Sequence, residues 1–405
     1  MQRLKYSILL FLLCAAGIQG YASNDWHAAV KHDIDSLLTS HPVMRQASCG
    51  IMVYDATDDT VIYRHDEQKA HRPASTTKLF TCATALQNLG SGHQLRTTLY
   101  YTGKIKKKRI DHKKRHILFG DIFVKGHFDP AFTGADMDTL VMALQAHEID
   151  SIAGNLYADV SMKSRVLGGN GWCWDDTGDD FPLLSPLLVD KDTTFMTVLR
   201  RKLSDIGIRV AGTTRDSICP EEIKILAEKS RTLGSLMPQC LKISDNRYAE
   251  SFLYQLGTLS GTPYPDTKVS MQYVNALVDS LGFTKEDCCF VDGSGLSPYN
   301  YVTPEIEVAL LKHIYHSPKL YEEIKRALPV GGVDGTLENR MKGTAAEGRV
   351  FAKTGSLTGT YALAGYALSA QSHLLIFSIM HDGVAYGCGN KARGLQDQIL
   401  DALCR

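Results

Sequence analysis

The sequence carries no surplus of either charge sign: 44 Lys and Arg stand against 44 Asp and Glu in 405 residues. That balance removes any global electrostatic argument for nucleic-acid binding. It also lacks a compositional bias. With 44% hydrophobic and 22% charged residues, neither wholesale disorder nor a multi-span membrane protein fits. The ten cysteines form no CxxC…CxxC zinc pattern, and no His-Glu-x-x-His pattern lies near the motifs described below. His112 and His116 have i, i+4 spacing, but they sit among positive charges that repel a cation, so the spacing assigns no metal. Internal repeats and low-complexity tracts are absent from the sequence. What remains is a length too great for one ordinary core, which predicts two domains or one domain with a large insertion.

Residues 1–22 stand apart. Met1-Gln2-Arg3-Leu4-Lys5 is a basic head, Ser7 to Ile18 is apolar, and Gly20 and Ala22 supply small residues for a cleavage site. This pattern reads as a secretory signal peptide and predicts an exported protein without a stable membrane span. Nine cysteines follow it, an odd number that leaves at least one unpaired in any intramolecular scheme. Most read as small buried hydrophobes, although export permits a disulfide.

Apolar periodicity predicts a helix over 25–38, a hairpin of strands 49–54 and 60–63, and a helix from Pro73 to Leu89 that stops before Gly90. Strands are expected at 95–101 and 117–125. The segment 104–115 between them holds eight Lys/Arg and one acid and reads as the solvated tip of a hairpin. Contact with an anionic polymer or lipid headgroup is its functional alternative. An aromatic, acidic loop covers 171–179, followed by a helix at 193–206 and a short strand at 207–210. Helical pattern returns near Glu228, with helices at 233–241 (interrupted by Pro238), 247–259 and 269–281. Three strands, 349–356, 361–369 and 373–381, and a helix over 391–403 close the chain.

The chemistry sits in three short motifs. Ser75-Thr76-Thr77-Lys78 opens a helix, so Lys78 lies one turn from Ser75 on the same face. A serine hydroxyl needs a base, and a lysine deprived of water can serve as one. Ser244-Asp245-Asn246 falls between two helices, and Lys353-Thr354-Gly355 falls in a strand. Each motif alone is weak and has a bland reading: an N-cap serine with a solvated lysine, an interhelical turn, an edge strand. In this order they are the signature of penicillin-binding proteins and serine β-lactamases. The residue types suit acyl transfer from a D-Ala-D-Ala peptide. Ser75 is the candidate nucleophile and Lys78 the candidate base. Ser244 is a candidate proton relay, and Asn246 a holder of Lys78 and the substrate amide. Lys353 and Thr354 are candidates for the substrate carboxylate. Gly355 allows close approach. The N–H groups of Ser75 and Ser356 form a candidate oxyanion hole.

With these motifs the chain resembles the class C low-molecular-mass penicillin-binding proteins, the bacterial D-Ala-D-Ala carboxypeptidase/endopeptidase family. Further matches are Gly126-His-Phe-Asp129-Pro130, residues 154–161, Gly171-Trp-Cys-Trp-Asp-Asp176 and Asp292-Gly-Ser-Gly-Leu-Ser297. Pro298 stands where the family often has a basic residue. The resemblance implies an α/β (α+β) transpeptidase-like fold, with a five-stranded antiparallel sheet, a helical subdomain and a β-rich inserted domain. The expected organisation is signal 1–22, a discontinuous catalytic domain 23–92 and 228–405, and an insert over 93–227. By resemblance, Asp159 helps read the free end of the substrate's diaminopimelate side chain. A strand-end aspartate bonding its own backbone is the alternative. The implied function is a periplasmic serine D-Ala-D-Ala carboxypeptidase without a cofactor. It would act on peptidoglycan stem peptides, be acylated by β-lactams, and have DD-endopeptidase action on crosslinks within reach of the same acyl-enzyme. The competing readings are a β-lactamase and a catalytically silent peptidoglycan-binding protein.

Overall fold

The computed structural model describes residues 26–110, 112–174, 176, 178 and 180–405. The expected signal peptide lies outside them. Two units divide the chain. The first comprises the N-terminal part to His71, Thr303–Lys312 and Pro329–Arg405, and the second Arg72–Val302 with His313–Leu328.

The first unit is built on a five-stranded antiparallel sheet ordered Val350–Leu357, Thr360–Leu368, Leu374–Asp382, Ser48–Asp55, Thr60–His65. Ser48–Asp55 pairs in register from Ser48 opposite Asp382 to Asp55 opposite Leu375. Alternation sorts its side chains between two faces. Cys49, Ile51 and Val53 join Leu363, Phe377 and Ile379 in one apolar cluster. Helix 26–40 brings Val30, Ile34 and Leu38 to that cluster, and helix Gly389–Cys404 brings Leu395, Ile399 and Leu403. On the opposite face Tyr366 donates to the Leu311 carbonyl and Ser378 to Glu307, both on helix Pro304–Tyr315. Gly50 faces that helix too, and a Cβ there would stand 2.8 Å from the Pro304 ring.

The second unit holds helices Thr77–Leu89, Leu233–Leu241, Asn246–Gly257, Thr267–Ser280 and Pro318–Ala327. Thr77–Leu89 is buried at every position to Leu86, as befits a helix surrounded by others. The same unit contains two sheets. One is ordered Thr214–Asp216, Leu156–Asp159, Ile122–Gly126, Gln94–Tyr101, Lys224–Thr232; the other Lys104–Ile110, Lys113–Phe119, Ser151–Ile152, Arg209–Val210. With helices Gly134–Ala146 and Phe195–Asp205 they share an apolar cluster that runs from Leu99 to Leu226.

Three sequence readings change. The strand expected over 117–125 is two strands in different sheets, ending at Phe119 and restarting at Ile122. The break lies at a close backbone crossing: a Cβ on Gly120 would stand 2.0 Å from the Thr102 carbonyl oxygen. The helical pattern returns at Leu233 and not near Glu228, because Lys224–Thr232 pairs along Gln94–Tyr101. Cross-strand pairing there overrides the helix-forming Ala, Glu and Lys. The basic segment is not confined to a tip. It forms both strands of a hairpin, with Lys108 opposite Arg115, Arg109 opposite Lys114 and Lys107 opposite His116. The nine described cysteines form no disulfide, and Cys49, Cys82, Cys240, Cys288 and Cys404 are buried.

Candidate active site

Ser75 lies in the 3-10 turn Ala74–Thr76 that leads into helix Thr77–Leu89. Ala74 before it has φ 48°, a left-handed conformation that is costly for a residue with a side chain. Gly295 explains how this bend is packed. A Cβ on Gly295, itself at φ 82°, would stand 1.8 Å from the Ala74 carbonyl oxygen.

Lys78 is fully buried in the first turn of the helix. Its Nζ lies 2.8 Å from Ser75 Oγ, 2.6 Å from Asn246 Oδ1 and 2.7 Å from the Ser294 carbonyl oxygen. Burial lowers its pKa, against the upward pull of Cys240, Asp292, Glu250 and Cys82. Two of these partners only accept, and the third, the Ser75 hydroxyl, accepts from an ammonium and donates to a neutral amine. A carbonyl oxygen only accepts. The Asn246 oxygen is assigned by its amide nitrogen, which donates to the Asp180 carbonyl at 2.8 Å. A neutral amine has two N–H groups and one lone pair. Ser294 and Asn246 take the two N–H groups, which leaves the lone pair for the Ser75 hydroxyl proton. The arrangement thus holds a general base against a nucleophile.

Asn246 begins helix Asn246–Gly257, whose N-cap Asp245 accepts from the Arg247 amide at 3.0 Å. Ser244 precedes it at φ 68°. The turn between helices that the sequence predicts is therefore present, with a left-handed residue at its serine.

The Asp292–Ser297 segment has a structural task that the sequence did not disclose. Asp292 is buried and accepts from the Gly295 and Ser297 amides (both 2.8 Å), from Asn300 Nδ2 (2.8 Å) and from Trp172 Nε1 (2.8 Å). Glu250, fully buried, accepts from the Gly293 and Ser294 amides at 3.0 and 2.8 Å. Burial and the Asp292 charge push the Glu250 carboxyl up to about 8. These two acids fix the loop that presents the Ser294 carbonyl to Lys78. Asp292–Ser297 was visible as a short match, but a contact made through a backbone oxygen leaves no mark on residue type.

Asp159 ends strand Leu156–Asp159 and is buried. Its Oδ1 accepts from the Ser161 amide at 2.9 Å and its Oδ2 from the Cys219 amide at 2.8 Å. Burial raises its pKa, but these hydrogen bonds outweigh it and hold the carboxyl below its ordinary value. Lys353, Thr354, Gly355 and Ser356 lie in strand Val350–Leu357 of the first unit. Lys353 is buried, with Nζ donating to the Thr354 carbonyl at 2.8 Å. Thr354 Oγ1 donates to Thr336 Oγ1 at 2.9 Å, and Gly355 pairs with Ala362. The structure brings Ser75, Lys78 and Asn246 together within the second unit.

A serine held against a buried lysine, in a fold with a five-stranded antiparallel sheet and a helical part, defines a serine acyl-transfer enzyme of the penicillin-recognising class. Comparisons with known proteins agree. The family model described as D-Ala-D-Ala carboxypeptidase 3 (S13) matches residues 30–194 and 187–403. The D-alanyl-D-alanine carboxypeptidase of Actinomadura sp. (strain R39) is 26% identical over 92% of this chain and 84% of its own length. D-alanyl-D-alanine carboxypeptidase DacB of Haemophilus influenzae is 23% identical over 84% of this chain and 86% of its own. The crystal structure of penicillin binding protein 4 from the same organism superposes with a TM-score of 0.81 at 22% identity, covering 90% of this chain and 97% of that one. The chain belongs to the D-Ala-D-Ala carboxypeptidase 3 (S13) family and is a serine-type carboxypeptidase, a hydrolase.

Proposed function

We propose that the chain removes the terminal D-Ala from peptidoglycan stem peptides through an acyl-enzyme on Ser75. The observation that carries the reading is the Lys78 amine, buried and aimed at Ser75 Oγ with its other hydrogen bonds spent on obligate acceptors. As Ser75 Oγ attacks the penultimate D-Ala carbonyl, its proton passes to Lys78 Nζ. The carbonyl oxygen gains charge and is received by the Ser75 and Ser356 amides. Ser244 relays the proton to the departing D-Ala amine. Water then cleaves the ester, with Lys78 again taking the proton. Lys353 supplies the positive charge for the substrate's terminal carboxylate, and Thr354 adds a hydroxyl. Asp159 adds a fixed negative charge for the free end of the third residue's side chain, through oxygens that already hold two amides.

The same acyl-enzyme forms when the leaving group is the side-chain amine of a crosslink, so DD-endopeptidase action belongs to the proposal. So does acylation by β-lactams, which the likeness to penicillin binding protein 4 of Haemophilus influenzae, a protein also solved in complex with a β-lactam, supports. A periplasmic location is supported by the basic head and apolar run of residues 1–22. No helix of the described residues is long and apolar enough to cross a membrane. We also propose that residues 93–227 form an inserted domain within a catalytic domain of 23–92 and 228–405. The apolar cluster from Leu99 to Leu226 supports this, with the insert's last strand continuing to Thr232.

The test is a fluorescent penicillin on the wild type and Ser75→Ala, followed by mass spectrometry of products from intact muropeptides. Label on the wild type alone, with D-Ala released, is the expected result. A folded wild type that takes no label, or rapid β-lactam turnover without D-Ala release, overturns the proposal.

A further inference from the structure

The first unit contains a second group of chemically active side chains. His27 in helix 26–40, Asp55 at the end of strand Ser48–Asp55, Asp58 in the following turn and His373 before strand Leu374–Asp382 converge on one point. One donor atom from each lies within 4.8 Å of all the others. We propose that this group is a zinc site that fastens the N-terminal helix to the sheet.

Asp55 is the centre of the arrangement. It is fully buried, and its two oxygens face different ways. Oδ1 accepts from the Thr57 and Asp58 amides at 2.8 and 3.2 Å, which fixes the carboxylate's orientation. Oδ2 lies 3.1 Å from His27 Nε2 and 2.6 Å from His373 Nδ1. Asp58 Oδ2 stands 3.8 Å from the same His373 nitrogen. Ligand atoms about 2.1 Å from a tetrahedral zinc are about 3.4 Å apart. Two of the separations, 3.1 and 3.8 Å, lie either side of that value, and the 2.6 Å His373–Asp55 hydrogen bond opens to admit the ion.

Charge and ligand type point the same way. As zinc ligands, the two carboxylates bring two negative charges to one place and the two imidazoles bring lone pairs. A buried carboxylate beside a second one is costly unless a cation joins them. A dication balances the group. Two nitrogen and two oxygen donors suit zinc better than the oxygen-only preference of magnesium or calcium. The Thr57 and Asp58 amides on Asp55 Oδ1 are outer contacts of the kind that orient metal ligands. Trp26 packs edge-on against both rings, 4.2 Å from His27 and 5.2 Å from His373 between centroids. The backbone amides orient Asp55. Asp58 is exposed and leaves a path for the ion. Neighbouring Asp59 is separately engaged by Tyr54 and Lys312, so it is not a competing ligand. None of this is visible in short-range spacing, because the donors come from segments 28 and 318 positions apart.

The rival is a metal-free His–Asp–His hydrogen-bonded staple. The full chain, stripped with a chelator, is titrated with ZnCl2 against a chromogenic chelator, and with CoCl2 for the visible absorption of a tetrahedral site. The expected result is one zinc per chain, a Co2+ spectrum displaced by Zn2+, and a higher melting temperature with zinc. His373→Ala and the exposed Asp58→Asn should each weaken binding at least about tenfold, the scale that even outer-shell changes reach. Penicillin labelling of Asp58→Asn stays at the wild-type level, which separates this site from the Ser75 reading. Absence of zinc binding by the folded wild type, or equal binding by wild type and both variants, overturns the proposal.

Discussion

Asn246 Oδ1 and Lys78 Nζ, 168 residues apart in sequence, meet at 2.6 Å, and the orientation of the Asn246 amide is set by its bond to the Asp180 carbonyl. A neutral acceptor at this place lets Lys78 stay unprotonated. A charged one would not.

Asn246→Asp is the direct check. A carboxylate beside the buried amine favours the ammonium form, so its pKa rises and the base is lost at neutral pH. Penicillin acylation at pH 7 should fall on the order of 10²-fold, the lower range of a general base's contribution. The loss should shrink as pH rises. An acylation pH profile parallel to that of the wild type overturns the assignment.

Glu250 gives a stability signature. Its folded carboxyl titrates near 8 against an ordinary value of 4.5. Between these values the folded state keeps a proton that the unfolded chain has released. Stability from this group is therefore full below about 4.5 and falls as pH rises through about 8. Glu250→Gln keeps an oxygen for the Gly293 and Ser294 amides and removes the titration. Urea unfolding at pH 5 and pH 8.5 should show the wild type losing stability relative to the variant. A difference independent of pH counts against the buried, protonated acid.

Gly295→Ala tests the packing behind the nucleophile. Its Cβ would strike the Ala74 carbonyl at 1.8 Å and stand 2.9 Å from Thr77 Oγ1. The chain must shift at the residue before Ser75, so acylation should drop together with a stability loss of about 2 kcal/mol or more. Gly343→Ala is the control: φ is 73°, and nothing lies within 4 Å of its Cβ. It should lose about 1 kcal/mol and leave labelling intact. Equal effects of the two on labelling would falsify the packing argument.

Much of the fold was legible because periodicity was strong. The terminal strands appear within a residue of their expected bounds, and the helix from Pro73 ends at Leu89 as expected but turns α-helical only at Thr77, after the 3-10 turn Ala74–Thr76. Helix Gly134–Ala146 went unread although Thr133 and Asp136 form a capping box, since Asp stands where Glu or Gln is usual. Helices Pro304–Tyr315 and Pro318–Ala327 also went unread, though each opens on a proline. Ser75, Lys78 and Asn246 were readable because their side chains do the work. Ser294 was not, because it contributes a carbonyl. For Asp159 the alternative of a strand-end aspartate bonding its own backbone describes the Ser161 amide on Oδ1, whereas the Cys219 amide on Oδ2, 60 positions away, leaves no local mark in the sequence.

The hairpin of Lys104–Ile110 and Lys113–Phe119 places cation opposite cation on successive rungs. In a chain whose formal charge sums to zero, such an arrangement is an electric dipole anchored in one ribbon. The protein should therefore be retained on a sulfonate resin at its own isoelectric point. Salt should release it once the screening length shrinks to about the spacing of those rungs. In the field of an anionic wall or membrane it would be turned to face one way before any specific contact forms.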